Sequence, residues 1–308
     1  MTTLAVLLIL LLGLALAPVL AELLRRPMSS ERMKKAPGEF AHLPQGPTHF
    51  RWTGPEDGPV FVCVHGLSTP SYVFAATERS LAALGYRVLC YDLCGRGFSA
   101  RVPGRQDAAF FVRQLRDLLK HQEVYGRISL LGFSMGGQIA AAFGAEEDAR
   151  LDALVLVAPS GLMPTETTGQ ATLWTAPVIG DWMTRVYGGI ALRRELVEHR
   201  TIATIIPNLE DRQAAETRKR GFLPALLSSR RHLLSRSADD DLGRIANDGT
   251  PVLAIWGAED PVIPLSAMGR LAKVMPQAHH VQIAGAGHNL LQTHPTEITH
   301  ALRDFLTP

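Results

Sequence analysis

Ile128-Ser129-Leu130-Leu131-Gly132-Phe133-Ser134-Met135-Gly136-Gly137 reads as a short buried strand that ends in a G-x-S-x-G turn. The run before Gly132 is apolar and brief, as a strand covered on both faces requires. Glycines on either side of Ser134 let a following helix press against the strand end and let the backbone hold a serine under strain. The pattern predicts a nucleophilic serine on a tight strand-to-helix turn, its Oγ turned away from the sheet. A glycine-rich strand end with an incidental serine satisfies the same five residues. The rest of the chain separates the two readings.

Serine chemistry needs a base beside the hydroxyl and a group that holds the base. Both occur downstream, in the chain order nucleophile, acid, histidine. Asp260 follows the apolar run Val252-Leu253-Ala254-Ile255-Trp256, which breaks at Gly257 into an acidic loop. His288 lies in Gly285-Ala286-Gly287-His288-Asn289, after His280-Val281-Gln282-Ile283-Ala284. Each sits just past a strand end, the edge of an open parallel sheet where ligands bind. Histidine titrates near neutral pH, and a carboxylate on its far nitrogen fixes the tautomer and stabilises the imidazolium. Glu259 stands beside Asp260 as a rival for that carboxylate.

From about Phe50 to the C-terminus the chain resembles the α/β-hydrolase family. Val62-Cys63-Val64-His65-Gly66-Leu67 is similar to that family's strand and His-Gly oxyanion turn. Tyr91-Asp92-Leu93-Cys94-Gly95-Arg96-Gly97-Phe98-Ser99 is similar to its next strand-end loop. The resemblance implies that Ser134 is the nucleophile, His288 the general base and then acid, and Asp260 the group that orients His288. In the family pattern the acid stands three residues after the glycine, which selects Asp260 over Glu259. Oxyanion donors are expected at the backbone N–H groups of Leu67, after His65-Gly66, and of Met135, at a helix start whose dipole favours negative charge. His65 is expected to shape its loop through hydrogen bonds rather than to transfer protons, and Arg96 to pin its own loop. Phe133 and Trp174 are candidate substrate contacts.

The expected fold is α/β, a doubly wound and mostly parallel sheet. Strands are expected at Thr48–Trp52, Val60–Val64, Arg87–Asp92, Arg127–Gly132, Asp152–Ala158, Pro251–Gly257 and His280–Ala284, mostly near-continuous apolar runs. Helical stretches such as Ala75–Leu84, Asp107–His121, Met135–Ala145 and Pro295–Phe305 alternate with them, the βαβ pattern. Between residues 162 and 248 the alternation stops, and the segment reads as several helices inserted as a cap. The core is then 48–161 and 249–308. Within the insertion Trp174, Val178, Ile179, Trp182, Met183 and Val186 recur near helical spacing. The simpler expectation packs this face on the core; the other makes it the wall of an acyl channel or a membrane-dipping surface.

The 308 residues are 46% apolar with a formal net charge of +2, which suits one catalytic domain with additions and gives no nucleic-acid footprint. There is no internal repeat, no metal-type Cys/His spacing and no phosphate-cradling loop, so neither metal nor cofactor is implied. Three cysteines, an odd count, argue against a disulfide framework and permit a reducing compartment. The sequence assigns no oligomeric state.

Met1 to Ala21 carries no charged side chain, and Leu4 to Leu20 is almost continuously apolar, about the length that crosses a bilayer. Ala15-Leu16-Ala17 resembles a signal cleavage site. Against cleavage stand a missing basic n-region, a run longer than the usual h-region of about 7–15 residues, and Pro18 after the cut. The expectation is an uncleaved anchor within residues 1–26, followed by a tether over 27–47. Arg25, Arg26, Arg32, Lys34 and Lys35 all follow the apolar run, which puts the catalytic domain on the cytoplasmic side.

A fold and a triad license a mechanism class rather than a substrate. The leading expectation is carboxylic-ester hydrolysis through an acyl-enzyme, the layout looking most like monoacylglycerol lipases and lysophospholipases. The serine motif also resembles carbon–carbon-bond hydrolases and cofactor-free perhydrolases, whose polar-acid substrates would need a basic or aromatic pocket, for which Arg193 and Arg194 are candidates. An acyltransferase would use the same triad. A binding protein is disfavoured, because relatives without activity usually lack a triad member.

Overall fold

The seven expected strands form, and an eighth joins them. The computed structural model describes residues 2–163, 169–198 and 204–307; parts of the expected cap, 164–168 and 199–203, lie outside them. The strands are β1 (Glu39–Leu43), β2 (Gly46–Thr53), β3 (Val60–Val64), β4 (Arg87–Tyr91), β5 (Ile128–Phe133), β6 (Leu151–Val157), β7 (Val252–Gly257) and β8 (His279–Ile283), in the sheet order β1-β2-β4-β3-β5-β6-β7-β8. β2 runs antiparallel to β1 and β4, and every other neighbouring pair is parallel. Every residue of β5 and β7 is buried, as double coverage demands.

β1 corrects the expectation of a plain tether over 27–47. Its sequence Glu-Phe-Ala-His-Leu buries only Ala41 and Leu43, so it shows no apolar run. A hairpin with β2, pairing Phe40 with His49 and Leu43 with Gly46, makes it a strand.

Helices cover the sheet, those at Ala108–His121 and Pro295–Leu306 through one apolar stripe and that at Met135–Gly144 with every residue buried. α1 (Thr2–Leu23) and α2 (Ser30–Lys34) precede it; α3 (Thr77–Ala83), α4 (Ala108–His121) and α5 (Met135–Gly144) form crossovers. In α4 the Asp107 side chain accepts from Phe110 N–H at 3.0 Å, and Phe111, Leu115 and Leu118 form the buried face. The segment between β6 and β7 folds as α6 (Gly169–Thr175), α7 (Ile179–Met183), a π-helical turn over Thr184–Gly188, α8 (Gly189–Glu198), α9 (Leu209–Glu216), α10 (Phe222–His232) and α11 (Asp239–Asn247). α12 (Ser266–Val274), α13 (Leu290–Thr293) and α14 (Pro295–Leu306) complete the chain.

α1 stands outside the core with its leucines exposed. Its C-terminal half and the residues just after it are fastened to the inserted segment. Gly221 N–H donates to the Glu22 carboxylate, the Arg25 guanidinium donates to Arg185 O, and Trp182 Nε1 donates to Leu14 O at 2.7 Å. This corrects the expectation that the Trp174–Val186 stripe packs on the core. Val178 and Ile179 are 78% and 52% exposed. The inward position of α7 belongs to Gly180, where a Cβ would lie 2.2 Å from Trp174 O, so Ile179 turns outward while Trp182 and Met183 stay half-buried.

Cys63 and Cys90 are register partners on β3 and β4, and Cys94 follows β4; all three are free and buried. Burial, and for Cys90 also the neighbouring Cys63, pushes the Cys90 thiol well up; burial takes Cys94 up to about 12.

Candidate active site

Ser134 joins β5 to α5 at φ +53° and ψ −119°, a conformation that L-residues rarely adopt. Its N–H donates to Val157 O at 2.9 Å, which locks the turn to β6. The flanking glycines are steric requirements. A Cβ on Gly132 would lie 2.4 Å from Gly136 O, and one on Gly136 would lie 2.0 Å from Val64 O.

The sheet edge brings the three predicted side chains together. Ser134 Oγ lies 3.0 Å from His288 Nε2, and His288 Nδ1 lies 2.8 Å from Asp260 Oδ2. Asp260 is held from behind, since its Oδ1 accepts from Val262 N–H at 2.8 Å and Ile263 N–H at 2.9 Å. That fixes the carboxylate, and the carboxylate fixes the imidazole with Nε2 free to accept the serine proton. Glu259 is exposed, its backbone N–H donating to Ala286 O. The Phe133 ring packs on His288 with centroids 5.3 Å apart. Trp174 is half-buried on α6, which packs on α7 and α10, and no described contact joins it to Ser134.

The loop after β3 lies against the serine, for a Cβ on Gly66 would sit 3.3 Å from Ser134 Cβ. His65 holds this loop in one tautomer: Nδ1–H donates to Gly66 O at 2.8 Å and Nε2 accepts from Leu93 N–H at 2.9 Å. Complete burial lowers its pKa to about 4, so the ring is neutral at physiological pH. Arg96, fully buried, donates from Nε to Leu67 O at 3.0 Å, from Nη1 to Cys94 O and Gln106, and from Nη2 to Ser229 Oγ at 2.7 Å. It thus ties the Leu67 loop to α10. Burial, then the charge of Arg101, takes it down to about 9. Met135 is the first residue of α5, and such an N–H has no intrahelical acceptor.

Two features escape a reading of the sequence. One is a buried pair beneath the loop after β4: His49 Nδ1–H donates to Asp92 Oδ2 at 2.8 Å and Nε2–H to Pro37 O, while Ser71 and Phe98 N–H groups also donate to Asp92. Burial alone would lower His49 and raise Asp92. Their mutual hydrogen bond and charge prevail, raising His49 and holding Asp92 well below the usual carboxylate range. The other is an apolar roof in which Phe222, Leu223 and Leu226 of α10 pack with Leu192 and Leu67. The spacing of Phe222, Leu223 and Leu226 was the available signal.

Among the described residues no group of His, Cys, Asp and Glu is arranged to hold a metal. Arg193 donates to Thr217 Oγ1 at 2.7 Å, and Arg194 is exposed.

The alpha/beta hydrolase fold family matches residues 59–295. A serine hydrolase-like protein of Danio rerio is 30% identical over 150 residues, 48% of this chain but only 45% of that protein's length. A 2-hydroxy-6-oxononadienedioate/2-hydroxy-6-oxononatrienedioate hydrolase of Paraburkholderia xenovorans (strain LB400) is 26% identical over 292 residues, covering 89% of this chain and 93% of that one. Among solved structures, a membrane phospholipase A described as a bacterial virulence factor is similar with TM-score 0.69 and 19% identity, over 99% of this chain and 98% of that one. That likeness in fold extends over the region of α1.

Proposed function

The chain belongs to the α/β-hydrolase family, and on that premise we propose that it is a membrane-anchored serine hydrolase cleaving lipid-like, monoacyl carboxylic esters through an acyl-enzyme on Ser134. One observation carries the reading: the hydrogen-bonded series Ser134–His288–Asp260, 3.0 and 2.8 Å long, starts on a strained strand-to-helix turn.

Ser134 Oγ attacks the ester carbonyl carbon as His288 Nε2 takes its proton, and Asp260 stabilises the imidazolium. The tetrahedral oxyanion meets the N–H groups of Leu67 and Met135, each such donor contributing typically about 100- to 1000-fold in rate. Collapse breaks the C–O bond, and His288 returns the proton to the leaving alcohol. Water, deprotonated by the same nitrogen, then cleaves the acyl-enzyme, releasing the carboxylic acid and restoring Ser134.

The apolar roof over Leu67 supports an acyl chain as the group bound. Carbon–carbon-bond hydrolysis is the second reading, favoured by the Paraburkholderia relative, whose name describes a dicarboxylate substrate. Arg96, beside the Leu67 loop, donates to neutral acceptors and Arg193 to Thr217, whereas the roof offers an acyl chain apolar contacts, and the ester reading is preferred on that roof. α1 serves as an uncleaved anchor, and the basic residues after it keep the catalytic domain cytoplasmic.

Purified full-length protein in detergent is assayed on p-nitrophenyl esters of increasing acyl length, monoacylglycerols and lysophospholipids. We expect turnover of the long-chain esters and of one or both lipid classes, blocked by fluorophosphonate labelling of Ser134. Cleavage of a ring-fission dienedioate without ester turnover would overturn the reading.

A further inference from the structure

α10 presents two different faces. Phe222, Leu223 and Leu226 meet Leu67, whereas Pro224, Ser228 and His232, four residues apart, line a cleft of about 370 Å³. The other walls are the 101–106 loop and the α7 region, so that Arg101, Arg105, Arg185 and Arg231 converge there with Asp181.

The charge in this cleft is incompletely answered. Asp181 pairs with Arg185 at 2.9 Å and Arg231 at 2.7 Å, and Asp107 pairs with Arg105 at 3.0 Å. Glu216, 3.9 Å from Arg101, is itself taken by Lys219. Four guanidinium groups against two carboxylates leave two positive charges. Arg101, 11% exposed, is turned to its own loop, its guanidinium donating to the carbonyls of Arg96, Gly97 and Ser99, which leaves Arg105, Arg185 and Arg231 as the more accessible cations. The Arg105 side chain is 69% exposed and free to reorient.

The position of the cleft names the source of its ligand. Two of its residues are bonded to the end of α1, Gly221 through Glu22 and Arg185 through Arg25. A bilayer passes from hydrocarbon to headgroups where such an apolar helix ends.

We propose that this cleft binds the phosphate group of a membrane glycerophospholipid, held by Arg105 and Arg185, with Arg231, whose Nε and Nη2 donate to the carbonyls of Thr175 and Ala176, adding its charge behind them. The inference rests on the membrane-anchored reading of α1 and is independent of the chemistry at Ser134. Guanidinium forks match phosphate oxygens in geometry and charge, and a phosphomonoester carries up to two negative charges. Docked there, a headgroup holds one face of α10 against the leaflet while the opposite face roofs the Leu67 loop. His232 supplies a local probe. Burial first, then the charges of Arg105 and Arg231, hold its imidazole below the ordinary value against the pull of Asp107. A bound phosphate reverses that field.

Full-length protein in detergent micelles is titrated with an ether-linked dihexyl phosphatidate, which ester hydrolysis does not consume, with the matching dihexylglycerol, and with inorganic phosphate. Calorimetry reads affinity, and NMR of histidine-labelled protein reads the His232 titration. We expect saturable phosphatidate binding that moves the His232 titration upward and weakens about tenfold in Arg105→Gln, about 1.4 kcal/mol. Dihexylglycerol should leave His232 unmoved, and inorganic phosphate should bind at least about tenfold more weakly. Equal affinity in Arg105→Gln and wild type, or an unmoved His232, overturns the site. Inorganic phosphate binding as tightly as phosphatidate overturns the lipid source. The binding measurement is unaffected by failure of the ester assay, so the two readings fail separately.

Discussion

Ser134→Gly should stabilise the protein relative to Ser134→Ala, although both abolish turnover. Ser134 sits at φ +53° and ψ −119°, and backbone held in such a sparsely populated region costs about 1–3 kcal/mol for a residue with a Cβ. Glycine escapes that cost but brings a more disordered unfolded chain, worth about 0.4–1 kcal/mol against it relative to alanine. Both variants lose the Ser134–His288 hydrogen bond, so that loss cancels in the comparison. The glycine variant should lead by about 1 kcal/mol, which for a domain of this size is roughly 2–4 °C in Tm. The assay is thermal unfolding of both variants in the same detergent at one scan rate, after absence of fluorophosphonate labelling is verified. A glycine variant that melts with or below the alanine variant would show that the turn stores no strain, and the argument from backbone geometry would fail.

His288→Ala should reduce kcat/KM nearly as far as Ser134→Ala, and Asp260→Asn by about 10⁴-fold, without additivity among them; Glu259→Gln should stay near wild type, and a larger loss there than in Asp260→Asn would reassign the acid. His65 has a folded-state pKa of about 4 against an ordinary 6.5, so the unfolded chain takes up its proton first as pH falls. Stability should therefore drop between about pH 6.5 and 4, by at most about 3 kcal/mol from this group, and denaturant titrations should show a shallower acid limb in His65→Gln. Arg96→Met should lower kcat more than it raises KM, because the Leu67 carbonyl loses its anchor; an unchanged kcat would detach Arg96 from the loop's position. In the native host, full-length protein should resist carbonate extraction from membranes, while a chain starting at Met28 should be soluble and keep its esterase activity. Recovery of a mature N-terminus near Pro18 would replace the anchor with a cleaved signal.

The strands from β3 to β7 were legible because parallel strands buried on both faces leave apolar runs that local pattern detects, whereas antiparallel β2 and the edge strand β8 show only partial burial. β1 was not, because two buried side chains in five make no pattern and its stability comes from pairing with β2. The positions of Ser134, Asp260 and His288 past strand ends were legible for a topological reason, since β5, β7 and β8 run parallel and deliver their loops to one edge. The Trp174–Val186 stripe misled, because helical periodicity reports an apolar face without saying what covers it. Here Gly180 occupies the inward position and α1 lies alongside. The His49–Asp92 pair was invisible for the opposite reason: two polar residues far apart in the chain carry no local signal until β2 and β4 are adjacent.

The three buried thiols act as a clock on the sheet. Cys63, Cys90 and Cys94 sit in or beside the central strands β3 and β4, and burial keeps the thiols of Cys90 and Cys94 protonated, so alkylating reagents find neither access nor thiolate. Alkylation then waits on opening of the hydrophobic centre, not on motion of the inserted helices or of α1. Its rate in native buffer measures how often the sheet comes apart, read from natural side chains by mass, and a variant or additive that leaves the rate unchanged acts on the inserted helices or α1 rather than on the core.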